Sequence, residues 1–479
     1  MRTLIRNVHV VSVDPRLGNL QGADILIDGA RIEAIAPGLG AEGCEVIDGT
    51  GCIAIPGFVD THRHLWEGAM RAVTADYSIL DFTGNVRLFA AGFFRPEDMY
   101  ATALQGCLES LNAGTTTTAE YCHNVRTPEH ALEGIRGARA SGLRTVWSYS
   151  FTGLAKGDGG GAPPWDRLAF LERLAAREFA TRDALVTLGV CPEEPSHWGA
   201  DHDVIRKQYR LSRELGARMF MHANSRIQYD NSMPRDVDRL RKMGVLGPDM
   251  ILVHMCATEA DEWRMLGDAG GHVSYTPETE YQMGLGFPGV REPRAAGVNI
   301  SVGIDITANN SADMFTQLRM LLQVERARVM EETTGANSSR TAFDCSEALY
   351  WGTMGGARAL GMEADIGSLT PGKRADIVLL RADDIATVGY DRRKPETTVI
   401  QQMGIHSVDT VLVDGKVAKR NGRLLTDTVA VRRALQATSD HVHAQAVARG
   451  GFDIDEAALY RRIGRTKAPP AARRTQVSP

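Results

Sequence analysis

The sequence predicts an α/β fold, a (β/α)8 TIM barrel that carries a small β-sandwich domain built from both ends of the chain. Eight short apolar runs follow one another along the central part, and stretches with helical signals separate most of them. Hairpin signals at both ends of the chain predict the sandwich. An open doubly wound sheet is disfavoured because no Gly-x-Gly-x-x-Gly follows the first apolar run.

The hairpin signals lie in residues 24–36 and 409–418. Each is an alternating apolar run interrupted by Asp-Gly, at Asp28-Gly29 and at Asp414-Gly415, and this dipeptide favours the positive φ angles of a two-residue turn. The predicted domains are a β-sandwich from residues 1–55 and 365–425, a barrel from 56–364, and a C-terminal extension of helix and tail from 426–479. Within that extension, residues 466–479 are predicted to be disordered or to pack on a neighbouring subunit.

The barrel strands are predicted from the apolar runs, and the helices from proline and acidic residues at their starts and glycine near their ends. The predicted strands are residues 52–60, 114–122, 144–151, 185–191, 217–222, 249–254, 271–276 and 299–304. The predicted helices are residues 96–111, 128–142, 202–215, 259–267 and 312–331. The link between the seventh and eighth runs is short and gives the weakest helical signal.

Composition narrows the class of protein. The 479 residues are 43% hydrophobic and 24% charged, and the formal charge is -5. This mild acidity argues against a nucleic-acid surface and against a polybasic membrane anchor. No run approaches the ~18 apolar residues that span a bilayer, and no signal peptide is evident. The seven cysteines are scattered without a Cys-x-x-Cys pair, so we expect a reduced, cytoplasmic protein.

Polar residues follow four of the predicted strands, at the ends where barrel enzymes carry their catalytic groups. His62 and His64 end the first run, and side chains two apart on a strand face the same way. His222, His254 and Asp305 end the fifth, sixth and eighth runs. Any one of them could be a buried histidine or a helix-capping aspartate, but their shared position predicts a metal centre.

Three histidines and a carboxylate leave one position of a zinc-like ion open for water. Asp305 can hold that water and accept its proton, and His254 is placed to stabilise an oxyanion. We expect one divalent metal, zinc, with iron or manganese as alternatives. A second metal would need a bridging group, for which Glu193 after the fourth run is the candidate. His441 and His443 repeat the spacing in a polar segment and are predicted to be a surface pair.

Four motifs then resemble the amidohydrolase superfamily, in the branch of triazine chlorohydrolases, cytosine and guanine deaminases and S-adenosylhomocysteine deaminases. They are Pro-Gly-Phe-Val-Asp-Thr-His-x-His at 56–64, Gly-Thr-Thr-Thr at 114–117, Gly-Ile-Asp at 303–305 and Asp-Ile-Gly-Ser-Leu-Thr-Pro-Gly-Lys-Arg-Ala-Asp-Ile at 365–377. The resemblance implies that His62, His64, His222 and Asp305 are the metal ligands and that His254 is the catalytic histidine. It also implies a homo-oligomer, a dimer or higher.

Two departures from that family pattern bear on the substrate. Serine stands at Ser225, where deaminases of this branch carry the glutamate of His-x-x-Glu that shuttles protons to a ring nitrogen. Two carboxylates follow the seventh run, at Glu278 and Glu280. The hypothesis is that Glu280, or otherwise Glu278, protonates the leaving nitrogen. The alternative is that both are helix-entry or solvated residues.

The sequence is therefore interpreted as a metal-dependent hydrolase of a non-peptide C–N bond, of amide, urea or carbamate type, in a small molecule. This pattern is similar to that of phenylurea and thiocarbamate hydrolases. The alternatives are a deaminase of a purine, pyrimidine or triazine-like ring and a non-catalytic scaffold. The predicted substrate contacts are Trp66, Glu67, Ser225 and Glu278, with His123 a weaker candidate. Trp66, Phe82 and Phe89 could line an apolar pocket or belong to the core.

Overall fold

The computed structural model describes residues 2–151, 165–181, 183–196, 201–226, 232–332, 341–452 and 454–462. Their strands form an eight-stranded sheet and a separate nine-stranded sheet. The strands are β1 (Arg2–Val11), β2 (Asn19–Asp28), β3 (Arg31–Ala36), β4 (Cys44–Asp48), β5 (Cys52–Pro56), β6 (Phe58–Arg63), β7 (Thr115–Cys122), β8 (Arg144–Ser150), β9 (Val186–Cys191), β10 (Arg218–Ala223), β11 (Met250–His254), β12 (His272–Tyr275), β13 (Asn299–Val302), β14 (Ile377–Arg381), β15 (Val408–Val413), β16 (Lys416–Arg420) and β17 (Arg423–Leu424).

The eight-stranded sheet is the barrel, and its strands β6 to β13 lie in sequence order with parallel neighbours. Its two edges meet at the carboxyl ends of β6 and β13. There, Asp305 N–H donates to the His62 carbonyl (2.8 Å) and His64 N–H donates to the Asp305 carbonyl (2.9 Å). The predicted fold class is therefore confirmed.

The predicted first barrel strand, residues 52–60, is two strands in the structure. Its first part, β5, pairs with β1 and β14 of the nine-stranded sheet, whereas β6 begins the barrel. The chain changes sheet at Gly57, where a Cβ would lie 2.1 Å from the Thr116 side chain. A continuous apolar run conceals this change, because both strands are buried.

The nine-stranded sheet joins both ends of the chain, in the order β17-β16-β15-β14-β5-β1-β2-β3 with β4 paired to β1. Its second predicted hairpin turns at Asp414-Gly415, and both residues have positive φ as expected. The first hairpin turns one residue later than predicted, at Gly29-Ala30, because Asp28 pairs with Arg31. The predicted domain boundaries remain predictions.

The predicted helices all occur, with ends shifted by a few residues, and two short helices fill the link between the last barrel strands. The helices are α1 (Ile79–Phe82), α2 (Pro96–Asn112), α3 (Pro128–Ser141), α4 (Arg167–Glu178), α5 (His202–Glu214), α6 (Asp236–Lys242), α7 (Ala260–Asp268), α8 (Pro277–Gln282), α9 (Arg291–Ala295), α10 (Met314–Glu332), α11 (Cys345–Tyr350), α12 (Gly356–Leu360), α13 (Pro395–Gln401), α14 (Thr428–Val447) and α15 (Glu456–Arg462). None of the described helices is long and apolar enough to cross a membrane.

The C-terminal helices pack beside the mouth of the barrel. Helix α14 contacts α2, and His441 on it lies 3.1 Å from the carbonyl oxygen of Phe93. The Arg462 guanidinium at the end of α15 lies over the Phe89 ring, 3.7 Å from its centroid, and donates to Asn85 Oδ1. The predicted tail at 466–479 lies outside the described residues.

Candidate metal centre

Five side chains from four barrel strands meet at the carboxyl end of the barrel. Ligand atoms of His62, His64 and Asp305 lie within 4.8 Å of one another, as do those of His62, His222 and His254. His62 belongs to both groups, so they are two halves of one cluster. Asp305 Oδ1 lies 3.2 Å from His62 Nε2 and 3.4 Å from His64 Nε2.

The imidazole rings are held so that their Nε2 atoms can bind a cation. His64 Nδ1 lies 2.7 Å from the Tyr121 carbonyl oxygen, and His222 Nδ1 lies 2.8 Å from Glu194 Oε1. These oxygens can only accept, so each Nδ1 carries the proton and each Nε2 keeps its lone pair. Neither nitrogen of the buried His62 ring has a hydrogen-bond partner among the described residues. A buried imidazole without a partner is costly, and a divalent cation would remove that cost.

The protonation states fit the same conclusion. Burial lowers the pKa of His62 to about 4, and burial also lowers the pKa values of His64 and His222. Burial alone would raise the pKa of Asp305, but the close contact of its carboxylate with His62, together with the surrounding histidines, holds that pKa well below its usual range. Neutral imidazoles beside an ionised carboxylate are the donor set that zinc, iron(II) and manganese(II) accept. The residues therefore fit one divalent metal.

The backbone at the site is fixed by Asp60, which is completely buried in β6. Its Oδ1 accepts from the backbone N–H groups of His62 (3.2 Å) and Ile304 (3.1 Å), and its Oδ2 accepts from the Thr118 hydroxyl (3.0 Å). Asp305 has a φ of 68°, a left-handed conformation that costs about 1–3 kcal/mol in a residue other than glycine. The hydrogen bonds across the barrel seam hold it there.

The carboxyl group of Glu280 lies behind His254. Its Oε1 is 3.2 Å from His254 Nδ1, and the Thr276 hydroxyl lies 3.1 Å from the same nitrogen. Burial lowers the pKa of His254, but the hydrogen bond with Glu280 and the charge of Asp305 outweigh burial, so the pKa is raised overall. The observed contact makes Glu280 a positioning residue for His254, whereas direct protonation of a leaving nitrogen by Glu280 stays a prediction.

Glu278 and Glu193 each contact a glutamine on a neighbouring helix. Glu278 accepts a hydrogen bond from Gln317 Nε2 (2.7 Å) on α10, and burial raises its pKa to about 7. Glu193, the candidate bridge to a second metal, lies against Gln208 on α5. Among the described residues, the two overlapping ligand groups give no separate cluster for a second ion.

The predicted substrate contacts divide into buried and partly exposed residues. Trp66 is buried in the core beside Phe94, and its indole N–H donates to His123 Nδ1 (2.9 Å). Glu67 is fully buried near Asp305, and burial, followed by the charge of Asp305, raises its pKa well above the usual range. Ser225 is partly exposed after the end of β10. The substrate roles of these residues stay predictions.

Phe82 and Phe89 were the other candidates for an apolar pocket. Phe82 belongs to the hydrophobic core, and Phe89 packs edge-on against Phe93.

A cavity of about 680 Å³ is lined in part by residues that follow His254 in the chain. Loops after β10, β11 and β12 and the segment 78–80 form its wall, which is mostly apolar. Its lining includes Leu80, Arg226, Met233, Cys256, Thr258 and Leu285. The volume suits a small organic molecule.

Three residues at the site were not predicted from the sequence. Asp60 precedes the His-x-His pair by two residues, so the same alternation could have identified it. Glu194 follows the predicted candidate Glu193 in the loop after the fourth strand, and nothing in the local sequence distinguishes the two. Arg87 lies in a segment of π-helical turns, Thr83–Arg87, and no local pattern indicates that this segment folds against the site.

Comparison with known proteins places these features in context. The amidohydrolase family model matches residues 53–418. The 5'-deoxyadenosine deaminase of Methanothermobacter thermautotrophicus is 27% identical over 414 residues, which cover 85% of this chain and 91% of that protein. The 5-methylthioadenosine/S-adenosylhomocysteine deaminase of Desulforudis audaxviator is 27% identical over 92% of this chain and 98% of its own length.

A solved structure has a similar fold over most of this chain. A variant of atrazine chlorohydrolase from Arthrobacter aurescens, in complex with zinc and atraton, superposes with a TM-score of 0.78. The two sequences are 25% identical, and the match covers 91% of this chain and 100% of that one.

Proposed function

Since the chain belongs to the amidohydrolase family and is an enzyme that acts on C–N bonds, we propose that it removes an amino group from a nitrogen heterocycle and releases ammonia. The observation that carries this proposal is the cluster of His62, His64, His222 and Asp305. The rings of His64 and His222 are oriented by contacts of their Nδ1 atoms with the Tyr121 carbonyl and the Glu194 carboxylate. The deaminase relatives support this reaction over the amide, urea or carbamate hydrolysis that the sequence favoured. The scaffold alternative finds no support, because every proposed ligand is present in the cluster.

In the proposed reaction, His62, His64, His222 and Asp305 hold one divalent metal, which we propose to be zinc. When bound, the metal would lower the pKa of a water molecule to ~7 and so supply a nucleophile at neutral pH. The ionised Asp305 carboxylate accepts a proton from the attacking water and returns it to the departing amino group, so that the broken C–N bond releases ammonia and the water oxygen stays on the ring carbon. His254 faces the same space and donates a hydrogen bond to the negative charge that develops during attack. Glu280 keeps His254 in the orientation and protonation state that this donation requires.

A second candidate function, hydrolysis of an amide or urea, is favoured by Ser225. A serine hydroxyl cannot shuttle protons to a ring nitrogen at neutral pH. Cleavage of an exocyclic C–N bond needs only polarisation of a carbonyl and protonation of the leaving group. The two candidates differ in the product that leaves.

The test is a substrate panel on purified, zinc-reconstituted protein, with ammonia and amine measured separately. The panel contains 5'-deoxyadenosine, guanine, cytosine and aminotriazines on one side and aryl ureas and anilides on the other. We expect ammonia from at least one heterocycle, with loss of activity after chelation and in Asp305→Asn. Amine release from a urea or anilide without ammonia would establish the second candidate instead. Release of neither product would reject both.

A further inference from the structure

Glu67, next to the cluster, has a carboxyl group without a hydrogen-bond partner among the described residues. Glu67 lies three residues after His64, on the 3-10 helix Leu65–Met70, and its side chain is fully buried. Neither of its carboxyl oxygens has a hydrogen-bond partner in the described part of the chain. Leaving a buried carboxyl group unpaired costs several kcal/mol in general, because it loses its hydration without replacement. Such a group indicates that a ligand supplies hydrogen bonds.

A histidine lies next to Glu67. His123 Nδ1 accepts from the indole of Trp66, so the proton is on Nε2, which lies 3.8 Å from Glu67 Oε1. The His123 ring also stacks on His64, with 3.9 Å between ring centroids. Glu67 is therefore next to the proposed metal ligands.

Arg87 provides a hydrogen-bond donor that could complement the Glu67 carboxyl group. Arg87 Nη1 is buried and has no hydrogen-bond partner among the described residues, and the Glu67 charge acts on this guanidinium. The two side chains do not hydrogen-bond each other, since both Glu67 oxygens are unpaired. Glu67 and Arg87 thus each keep an unused hydrogen-bonding position among the described residues.

We propose that Glu67 and Arg87 recognise a lactam edge on the substrate, that is, a ring N–H next to a carbonyl. The N–H donates to Glu67 and the carbonyl oxygen accepts from Arg87, so one planar group satisfies both residues. A ring without this edge leaves the pair unsatisfied, and sites built to hydrogen-bond a substrate reject such analogues strongly. This inference rests on the proposed function, which it refines by naming oxo-substituted heterocycles as the preferred substrate class.

The test compares binding of matched ring pairs to the full-length, zinc-loaded protein by calorimetry. The pairs are hypoxanthine and purine, uracil and pyrimidine, and lumazine and pteridine. We expect the lactam of at least one pair to bind about tenfold or more tightly than its parent ring. Glu67→Gln and Arg87→Met should each remove this preference, whereas Glu172→Gln, an exposed control on α4, should keep it.

Two results would overturn the inference. Equal binding within all three pairs, including no binding, shows that the edge is not recognised. A preference that persists in both Glu67→Gln and Arg87→Met shows that the metal centre, and not this pair, reads the carbonyl. Zinc content and circular dichroism establish that the variants are folded and loaded.

Failure of the proposed function is distinguishable from failure of this inference. Ammonia release by the wild-type protein without any lactam preference overturns the recognition pair alone. Lactam preference without ammonia release from any heterocycle overturns the proposed reaction alone.

Discussion

Glu194 lies behind His222 and accepts a hydrogen bond from its Nδ1 at 2.8 Å. This contact fixes the tautomer that leaves Nε2 for the metal, and loss of such a contact generally weakens metal affinity about 10–100-fold. We therefore expect Glu194→Gln to bind zinc more weakly by roughly that factor, measured by competition with a chromogenic chelator. The adjacent Glu193 contacts Gln208 instead, so Glu193→Gln is the matched control. Equal zinc affinity in the two variants would contradict the assignment.

Glu280 controls the protonation of His254. The pKa of His254 is raised because the hydrogen bond to Glu280 and the charge of Asp305 outweigh burial, and the protonated ring is lost as pH rises through that pKa. Replacing the carboxylate in Glu280→Gln should lower the pKa, so activity that needs protonated His254 should fall at a lower pH. We expect the basic limb of kcat/KM to move down by about one pH unit or more.

The control for this pH experiment is Glu278→Gln, which alters a carboxyl group bonded to Gln317. Its basic limb should match that of the wild-type protein. A basic limb unchanged in Glu280→Gln and shifted in Glu278→Gln would transfer the role to Glu278.

At this scale, the sequence predicts residues whose position alone indicates their role. The four histidines and Asp305 each end an apolar run, and parallel barrel strands bring such ends together. The contacts of Glu194 and Glu280 with the histidines, and the place of Arg87 near the site, could not be predicted, because they depend on how loops fold back over the strands. Spacing along the chain does not determine that path.

At the scale of elements, Gly57 lets the chain leave the nine-stranded sheet and enter the barrel. A Cβ there would lie 2.1 Å from the Thr116 side chain on β7, so Gly57→Ala forces β6 and β7 apart. We expect a loss of about 1–3 kcal/mol in the free energy of unfolding, as for other overpacked sites. Chemical denaturation followed by circular dichroism gives this value.

The matched control is Gly40→Ala, at an exposed glycine where an added Cβ meets nothing within 4 Å. This variant should stay within about 1 kcal/mol of the wild-type stability. If Gly57→Ala were as stable as Gly40→Ala, the close packing at the sheet crossing would not limit that position.

Strands and helices could be predicted because buried parallel strands read as short apolar runs between helical stretches. One error, the undivided run at residues 52–60, arises because both halves are buried and the local pattern does not change at Gly57. The helical signal is weakest in the link that contains α8 and α9 for a related reason. Helices of 6 and 5 residues are too short for a clear periodic pattern.

For the whole molecule, the barrel and the nine-stranded sheet are joined by a buried ionic contact. Arg144, the first residue of β8, donates to Asp376 Oδ2 (3.0 Å) and Oδ1 (3.1 Å) and to Asp414 Oδ1 (3.1 Å). Asp376 precedes β14, and Asp414 lies in the turn between β15 and β16. The contact is at the amino end of the barrel, away from the metal ligands, so it concerns stability and not catalysis.

Arg144→Met should therefore destabilise the protein without changing the site. Removing the cation leaves the buried Asp376 uncompensated, and breaking one side of a buried pair costs about 3–5 kcal/mol in general. We expect the free energy of unfolding to fall by about 3 kcal/mol, the lower end of that range, because Asp414 keeps its hydrogen bond from Arg374. Denaturant unfolding measures this change, and kcat/KM of the folded variant should stay within about twofold of the wild type.

Two further variants separate the ionic contact from the loss of an arginine side chain. Arg136→Met removes an exposed arginine that pairs with Glu133 on α3, and exposed pairs contribute only about 0–1 kcal/mol. In Arg144→Met with Asp376→Asn, the uncompensated charge is gone, so part of the lost stability should return. Equal effects of Arg144→Met and Arg136→Met would mean that the two sheets hold together without this contact. Recovery in the double variant would instead show that charge compensation at Asp376 is what couples them.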